Sequence, residues 1–484
     1  MFKYYLFALV FLFACKSNTD ATHIAAENAS DWADGKDPEE NPIMGGPSDI
    51  KITLTDKSKS GPVKIIGFYS DQNYLADTLS YVNGVLHYRN PKGLPQGYYY
   101  FAFSDSEVIQ LILDHDQEFE VSVNLADITN SIKITGSEDN HLFYEVTKWE
   151  QQINPQISTL SERLKTLQEG TPEYESVKKE RTRVEDSKME YLKSMYDKNP
   201  NSLFANFKYG GQNPRIKEHL SKEEQYVMYR KEFWDNVNFN DRRLLRTPMI
   251  GNKLKRYFNE LTPQHHDSVY VAAHHLMNKV SDKKEYFKIF ANWVVIKFEP
   301  TKCALMDAES VFVNMVENYF TREKAYWADS LTLAAIQRRA YEMSASLMGK
   351  SAPNVISTDP AGQKQELLAK KADYLIVYMY NPDCEHCMEE TPKLLKYYQE
   401  NKSKGVDVFA IALDTDEVKW KNYIQKQGLS WTNVYDPTNR SIYAKYYVDV
   451  TPEIYVINKE RKIIGKNLKT FQIQTIIDKD KEVK

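Results

Sequence analysis

Two cysteines spaced Cys384-Glu385-His386-Cys387 stand between an apolar run and an amphipathic one, and this placement restricts the fold more than any other feature of the chain. The run Tyr374-Leu375-Ile376-Val377-Tyr378-Met379-Tyr380 has strand length and no polar alternation, which suits a strand buried on both faces. Lys393-Leu394-Leu395-Lys396-Tyr397-Tyr398 reads as helix. Where a strand feeds a helix, Cys384 falls at the helix N-terminus, and free N–H groups and the helix dipole there stabilise a thiolate. Cys387, one turn later, is within reach of a mixed disulfide formed on Cys384. Attack by the first thiolate and resolution by the second is thiol–disulfide exchange.

Downstream, strands are expected at Val406–Leu413 and Trp431–Tyr435, and a helix at Val418–Gln427. A hairpin of Ile454–Ile457 with Lys462–Gly465 follows, then a last helix near Thr470–Asp478. Strands alternating with helices and closed by a hairpin give an α/β sandwich. The cysteines continue into Glu390 and Pro392 as C-x-x-C-x-x-E-x-P, and Val450-Thr451-Pro452 precedes the strand at Ile454. On these motifs residues 351–484 resemble the membrane-facing thioredoxin-like reductases of the TlpA and ResA type. The resemblance implies a thioredoxin-like α/β/α sandwich with Cys384 as nucleophile and Cys387 as resolving thiol. It implies that Glu390 is the helix acid that tunes the thiols and moves protons. It also implies that Thr451 and Pro452 form the cis-proline loop that faces the disulfide and binds substrate backbone. The chain departs from the family in carrying Asp383 where a Trp is usual, and no proline lies between the cysteines. Asp383 and Glu385 oppose thiolate formation, whereas a protonated His386 favours it, so Glu385 and His386 tune the nucleophile in opposite senses.

Other uses of the pair fit less well. Zinc takes four ligands, and only His386 clusters with the two thiols, so no metal is expected. Covalent haem needs C-x-x-C-H, and Met388 follows the second cysteine. A peroxidase loop needs a Thr or Ser three residues before its cysteine, and neither thiol has one. A purely structural disulfide is the plainest alternative. The only expected redox group is the Cys384–Cys387 disulfide itself.

At the other end, Met1–Ala14 reads MFKYYLFALVFLFA, a Lys followed by an apolar run too short to span a bilayer, the pattern of an export signal. Leu12-Phe13-Ala14-Cys15 resembles the lipobox of bacterial lipoproteins, in which the peptide is cut before the cysteine and that cysteine is lipidated. This implies a cell-envelope protein held by lipid at Cys15, on the periplasmic side of a membrane. Residues 15–46 are polar and acidic and end in Pro and Gly, as a solvated tether would.

Residues 47–140 carry closely spaced short strands between turn residues, which suggests a β-sandwich. Residues 141–350 change to a period of 3.6 and read as a helical domain. Its helices are expected at Lys222–Asn236, Asn252–Glu260, Gln264–Val280, Lys283–Phe298, Ala308–Phe320, Ala325–Ala328 and Ser330–Met348, among others. The segments Leu75–Tyr88, Gly97–Phe101 and Ile134–Ser137, with Phe233–Pro248 and Tyr326–Ser330, resemble the sandwich and helical regions that precede thioredoxin-like domains in Bacteroidetes lipoproteins. The fold class expected is therefore multidomain α+β. The pairs His265-His266 and His274-His275 read as polar helix surface, and Cys303 as a packing residue.

Composition closes off other classes. In 484 residues, 63 Lys and Arg face 67 Asp and Glu, so no basic footprint for nucleic acid is expected. Four cysteines cannot staple a disulfide scaffold of this length. The expected partners are protein thiols or disulfides, an upstream membrane or periplasmic electron donor, and the membrane itself. The competing reading is a partner-binding cell-envelope lipoprotein whose thioredoxin-like domain is accessory or inactive.

Overall fold

The computed structural model describes residues 41–300 and 302–483. The expected leader at residues 1–14, Cys15 and the expected tether as far as Glu40 lie outside the described residues. The last tether residues are structured: Gly45 N–H donates to Leu94 O at 2.9 Å, and Ile43 O accepts from Gln96 N–H at 2.7 Å. The chain divides into two compact units between Leu261 and Thr262. The stretch 141–350 therefore contributes helices to both.

In the first unit, β1 (Ser48–Leu54), β2 (Gly61–Tyr69), β3 (Gln72–Tyr81), β4 (Val85–Asn90), β5 (Gly97–Ala102), β6 (Val108–Leu113), β7 (Gln117–Val123) and β8 (Lys133–Thr135) form two four-stranded sheets. Their orders are β4-β1-β7-β8 and β3-β2-β5-β6. Strand β7 alternates buried Phe119, Val121 and Val123 with exposed residues, the period-two signature of a sheet wet on one face. By contrast β5 is buried nearly throughout. A 3-10 turn, Arg242–Arg246, lies on it so closely that a Cβ on Gly97 would sit 2.8 Å from Arg246 Cβ.

Helix Glu138–Thr166 docks on β6 through Asn140, whose amide accepts from Ile112 N–H and donates to Ile112 O, each at 2.7 Å. Its neighbour Asp139 accepts from Leu203 N–H at 2.8 Å, holding the start of helix Leu203–Gly210. Helices Pro172–Lys198, Lys222–Glu232 and Pro248–Asn259 complete this unit. The helix expected at Lys222–Asn236 stops at Glu232, although the buried Phe233 and Trp234 continue the apolar pattern, and the one expected from Asn252 begins at Pro248, a residue suited to the first helical position.

The second unit begins with helices His266–Lys279, Lys284–Lys297, Ala308–Tyr319 and Ser330–Met343. Residues 325–328, expected as a helix, form a turn, with Ala328 N–H donating to Ala325 O at 3.1 Å. After the short hairpin β9 (Ile356–Thr358) and β10 (Lys364–Glu366), five strands make one sheet: β11 (Tyr374–Tyr380), β12 (Val406–Leu413), β13 (Thr432–Asp436), β14 (Glu453–Ile457) and β15 (Ile463–Gly465). The order is β13-β12-β11-β14-β15, with β11 parallel to β12 and antiparallel to β14.

Every residue of β11 is buried, because its two faces feed two apolar clusters. Tyr378 and Tyr380 pack with Cys387, Leu394 and Trp420 on one side. Val377 and Met379 pack with Phe409, Tyr446 and Tyr455 on the other. The chain enters this sheet along β15: Gly349 N–H donates to Ile463 O at 2.8 Å, Ile463 N–H to Lys350 O at 2.9 Å, and Ala352 N–H to Arg461 O at 2.9 Å. Helices Glu385–Asn401, Glu417–Gln427, Arg440–Tyr446 and Thr470–Val483 complete the unit.

Candidate functional site

Strand β11 ends at Tyr380, and the chain turns through Asn381–Asp383 into the Glu385–Asn401 helix with Cys384 as its N-cap. The turn is closed by Cys384 N–H donating to Asn381 O at 3.1 Å and by Asp383 N–H donating to the Asn381 side chain at 2.8 Å. Cys384 is half-buried and Cys387 fully buried, both as free thiols. The Thr451–Pro452 peptide is cis, and the Cys384 thiol donates to Thr451 O at 3.4 Å. The structure thus brings Cys384 and Cys387 together with Thr451 and Pro452 from two separate stretches of chain.

The two thiols have opposed electrostatics. Partial burial works against a thiolate at Cys384. The Cys387 thiol, the backbone N–H groups of Cys387 and His386, and Thr451 outweigh it, so the Cys384 pKa falls below that of an ordinary thiol. Burial pushes Cys387 up to about 12, although Asn381 N–H donates to its sulfur at 3.4 Å. A nucleophile needs thiolate character and access, and only Cys384 has both.

Of the residues expected to tune the pair, Glu385 and His386 have exposed side chains. His386 acts on Cys384 through its backbone N–H. Asp383 forms an exposed ion pair with Lys419 at 2.7 Å. Glu390 is buried and faces the last helix: its carboxylate accepts from Thr470 N–H at 2.7 Å and pairs with Lys393 at 3.3 Å. Burial would raise its pKa, but the Thr470 and Lys393 contacts win and hold it below the usual carboxylate value. Among the described residues, no hydrogen bond or ion pair joins Glu390 to either thiol.

Sequence reasoning passed over the hydroxyls beneath Cys387. Tyr378 and Tyr423 each contact Thr391 Oγ1, at 2.7 and 2.8 Å, and each donates to Cys387 O at 3.4 Å. All three side chains are buried. The available signal was a pair of tyrosine hydroxyls on otherwise apolar elements, since a buried phenol needs a partner.

The other candidates stand apart. Cys303 is half-buried, its sulfur accepting from Leu305 N–H at 3.4 Å. His265, His266 and Asp267 place ligand atoms within 4.8 Å of one another. Within it, Asp267 lies 3.8 Å from His265 Nδ1 and 3.5 Å from His266 Nε2.

This sheet order, with a C-x-x-C pair at a helix N-terminus facing a cis-proline, defines a thioredoxin-like domain. Comparison with known proteins agrees: residues 348–466 match the model of the AhpC/TSA family. The thiol–disulfide oxidoreductase ResA of Bacillus cereus is 30% identical over 119 residues, which span 25% of this chain and 68% of the relative. The Bacillus subtilis ResA is 28% identical over 116 residues, 24% of this chain and 64% of the relative. Among solved structures, a thioredoxin-like protein from Bacteroides caccae is 20% identical with a TM-score of 0.47, covering 55% of this chain and 97% of its own. The chain belongs to the TlpA/ResA-type thiol–disulfide oxidoreductases.

Proposed function

We propose that the protein exchanges disulfides with protein clients through Cys384 and Cys387. The Cys384 thiolate attacks a client disulfide, forming a mixed disulfide and releasing one client thiolate. Cys387, once deprotonated, attacks the Cys384 sulfur, closing the intramolecular disulfide and releasing the second client thiolate. The client gains two electrons and the pair loses them. An upstream membrane or periplasmic dithiol donor then re-reduces the pair, which needs no other cofactor. The reductive direction follows the family resemblance. The observation that carries this reading is the asymmetry of the thiols: Cys384 is lowered and reachable, Cys387 raised and sealed. In the same reading the leader at residues 1–14 directs export, and lipid on Cys15 holds the protein to the periplasmic side of a membrane.

The test is reduction of insulin disulfides by the full chain. Cys384→Ala is expected to abolish it, and Cys387→Ala to accumulate mixed disulfides visible on a non-reducing gel. Full activity in Cys384→Ala would remove the nucleophile assignment. Globomycin-sensitive processing and palmitate labelling that vanish in Cys15→Ala check the anchor, and unchanged labelling would sink it.

A further inference from the structure

The second unit buries an unbalanced set of charges beside the cis-proline. Lys466, 1% exposed, places Nζ 3.3 Å from Glu309 and 3.7 Å from Asp307. Asn467 donates to both Glu309 oxygens, at 3.0 and 3.2 Å. Asp307 caps the Ala308–Tyr319 helix by accepting from Ser310 N–H at 3.2 Å, and also accepts from Met348 N–H at 3.0 Å. Glu453, the residue after Pro452, has its Oε2 sealed from solvent with no hydrogen-bond partner among the described residues. The charged groups facing Glu453 are Lys466, Glu309 and Asp449, with the Tyr455 ring beside it on its own strand. His266 adds an imidazole next to Asp307, and burial lowers its pKa.

One ammonium thus serves three carboxyls. An uncompensated buried charge is strongly destabilising, so at least one carboxyl must hold a proton. Burial raises Asp307 as well, but Asp307 keeps two N–H donors and faces Lys466 directly. Glu453 has no donor, and burial pushes it well above the usual carboxylate value.

The placement gives this arrangement a role. Glu453 pairs with Met379 of β11, the strand that leads to Cys384, and directly follows the loop whose Thr451 O accepts the Cys384 thiol. Lys466 and Asn467 follow β15, and Asp307 and Glu309 come from the helical stretch that precedes the sheet. We infer that Glu309, Lys466 and Glu453 are positioning residues for the Thr451–Pro452 loop, through which the helical segment 262–348 acts in client binding. The inference rests on the disulfide-exchange reading. Ionisation of Glu453 at alkaline pH would put a second uncompensated carboxylate at the base of the loop and shift it.

The experiment measures KM and kcat of the full chain for insulin across neutral to alkaline pH, with a small aromatic disulfide as a second substrate. Glu309→Gln and Lys466→Met are expected to raise KM for insulin about three- to tenfold, with a smaller change in kcat. KM of the wild type is expected to rise towards alkaline pH, and that of Glu453→Gln to stay flat. If Lys466→Met fails to fold, Glu309→Gln and Glu453→Gln still decide the matter. Unchanged KM in Glu309→Gln, or a Glu453→Gln pH curve parallel to the wild type, overturns the inference. A folded wild type inert towards the small disulfide would instead remove the exchange reading.

Discussion

Cys384 and Cys387 are one helical turn apart and occupy different chemical worlds. At Cys384 the helix has just begun, and unsatisfied N–H groups and a neighbouring thiol converge on the sulfur. At Cys387 the same helix has turned its side chain into the apolar cluster beneath β11. The difference shows that a thiol's place relative to a helix end, rather than the residues flanking it in sequence, separates the two sulfurs in acidity and access. By sequence, Asp383 and Glu385 oppose a thiolate at Cys384 and a protonated His386 favours it. In the structure their side chains are exposed, and Asp383 is met by Lys419.

The widest test of this contrast is alkylation. Pushed up to about 12 from an ordinary 9.0, Cys387 carries at neutral pH about a thousandth of the thiolate of an unperturbed thiol. Iodoacetamide labelling of the reduced chain, read by peptide mass spectrometry, should therefore favour Cys384 by more than about a thousandfold. Comparable rates would erase the contrast.

Removing the resolving thiol comes next. Cys387→Ala should slow client turnover by at least about a hundredfold, since an intramolecular attack is replaced by an external one. Stopped-flow turnover with a fluorescent peptide disulfide measures this.

Smaller is the effect of the hydroxyls that hold the Cys387 turn. Tyr423→Phe deletes one contact to Thr391 and one to Cys387 O, and should lengthen the mixed-disulfide lifetime by up to about tenfold, the worth of one hydrogen bond. An unchanged lifetime would assign those hydroxyls to packing alone.

Glu390 sharpens the comparison from the side of the last helix. Because its folded pKa lies below the ordinary 4.5, its contribution is fully present above that pH and is lost as pH falls through the folded value. Glu390→Gln should cost about 1 kcal/mol of stability at neutral pH and flatten the acid limb of a urea-unfolding series. A variant with the wild-type acid profile would return Glu390 to the thiols.

The smallest change is expected from Lys419→Ala. Leaving Asp383 unmet beside Cys384 should slow alkylation of Cys384 by about twofold, an effect that salt removes.

Much of the catalytic unit was legible. Strands β11 and β12 fall on the runs at Tyr374–Tyr380 and Val406–Leu413, because continuous burial on two faces writes itself as continuous apolar sequence. Cys384 caps its helix where the strand-to-helix switch placed it. Apart from the Thr451–Pro452 loop, which the family motif placed against the cysteines, what escaped was the contacts between distant segments. Lys419 is 36 positions from Asp383, Thr470 is 80 from Glu390, and nothing local marks either pairing. The division at Leu261 was equally hidden, since helical periodicity reports that a face is apolar and not which sheet it covers.

The approach along β15 by residues 349–352 has a consequence beyond connecting helices to sheet. An outer strand with free ladder groups is a template on which another chain can add itself. At this margin those groups are already occupied by the protein's own backbone, and at the opposite margin Ser357 of β9 bonds Tyr435 O of β13 at 3.3 Å. With both margins met in this way, fewer free ladder groups remain on which another chain could extend the sheet.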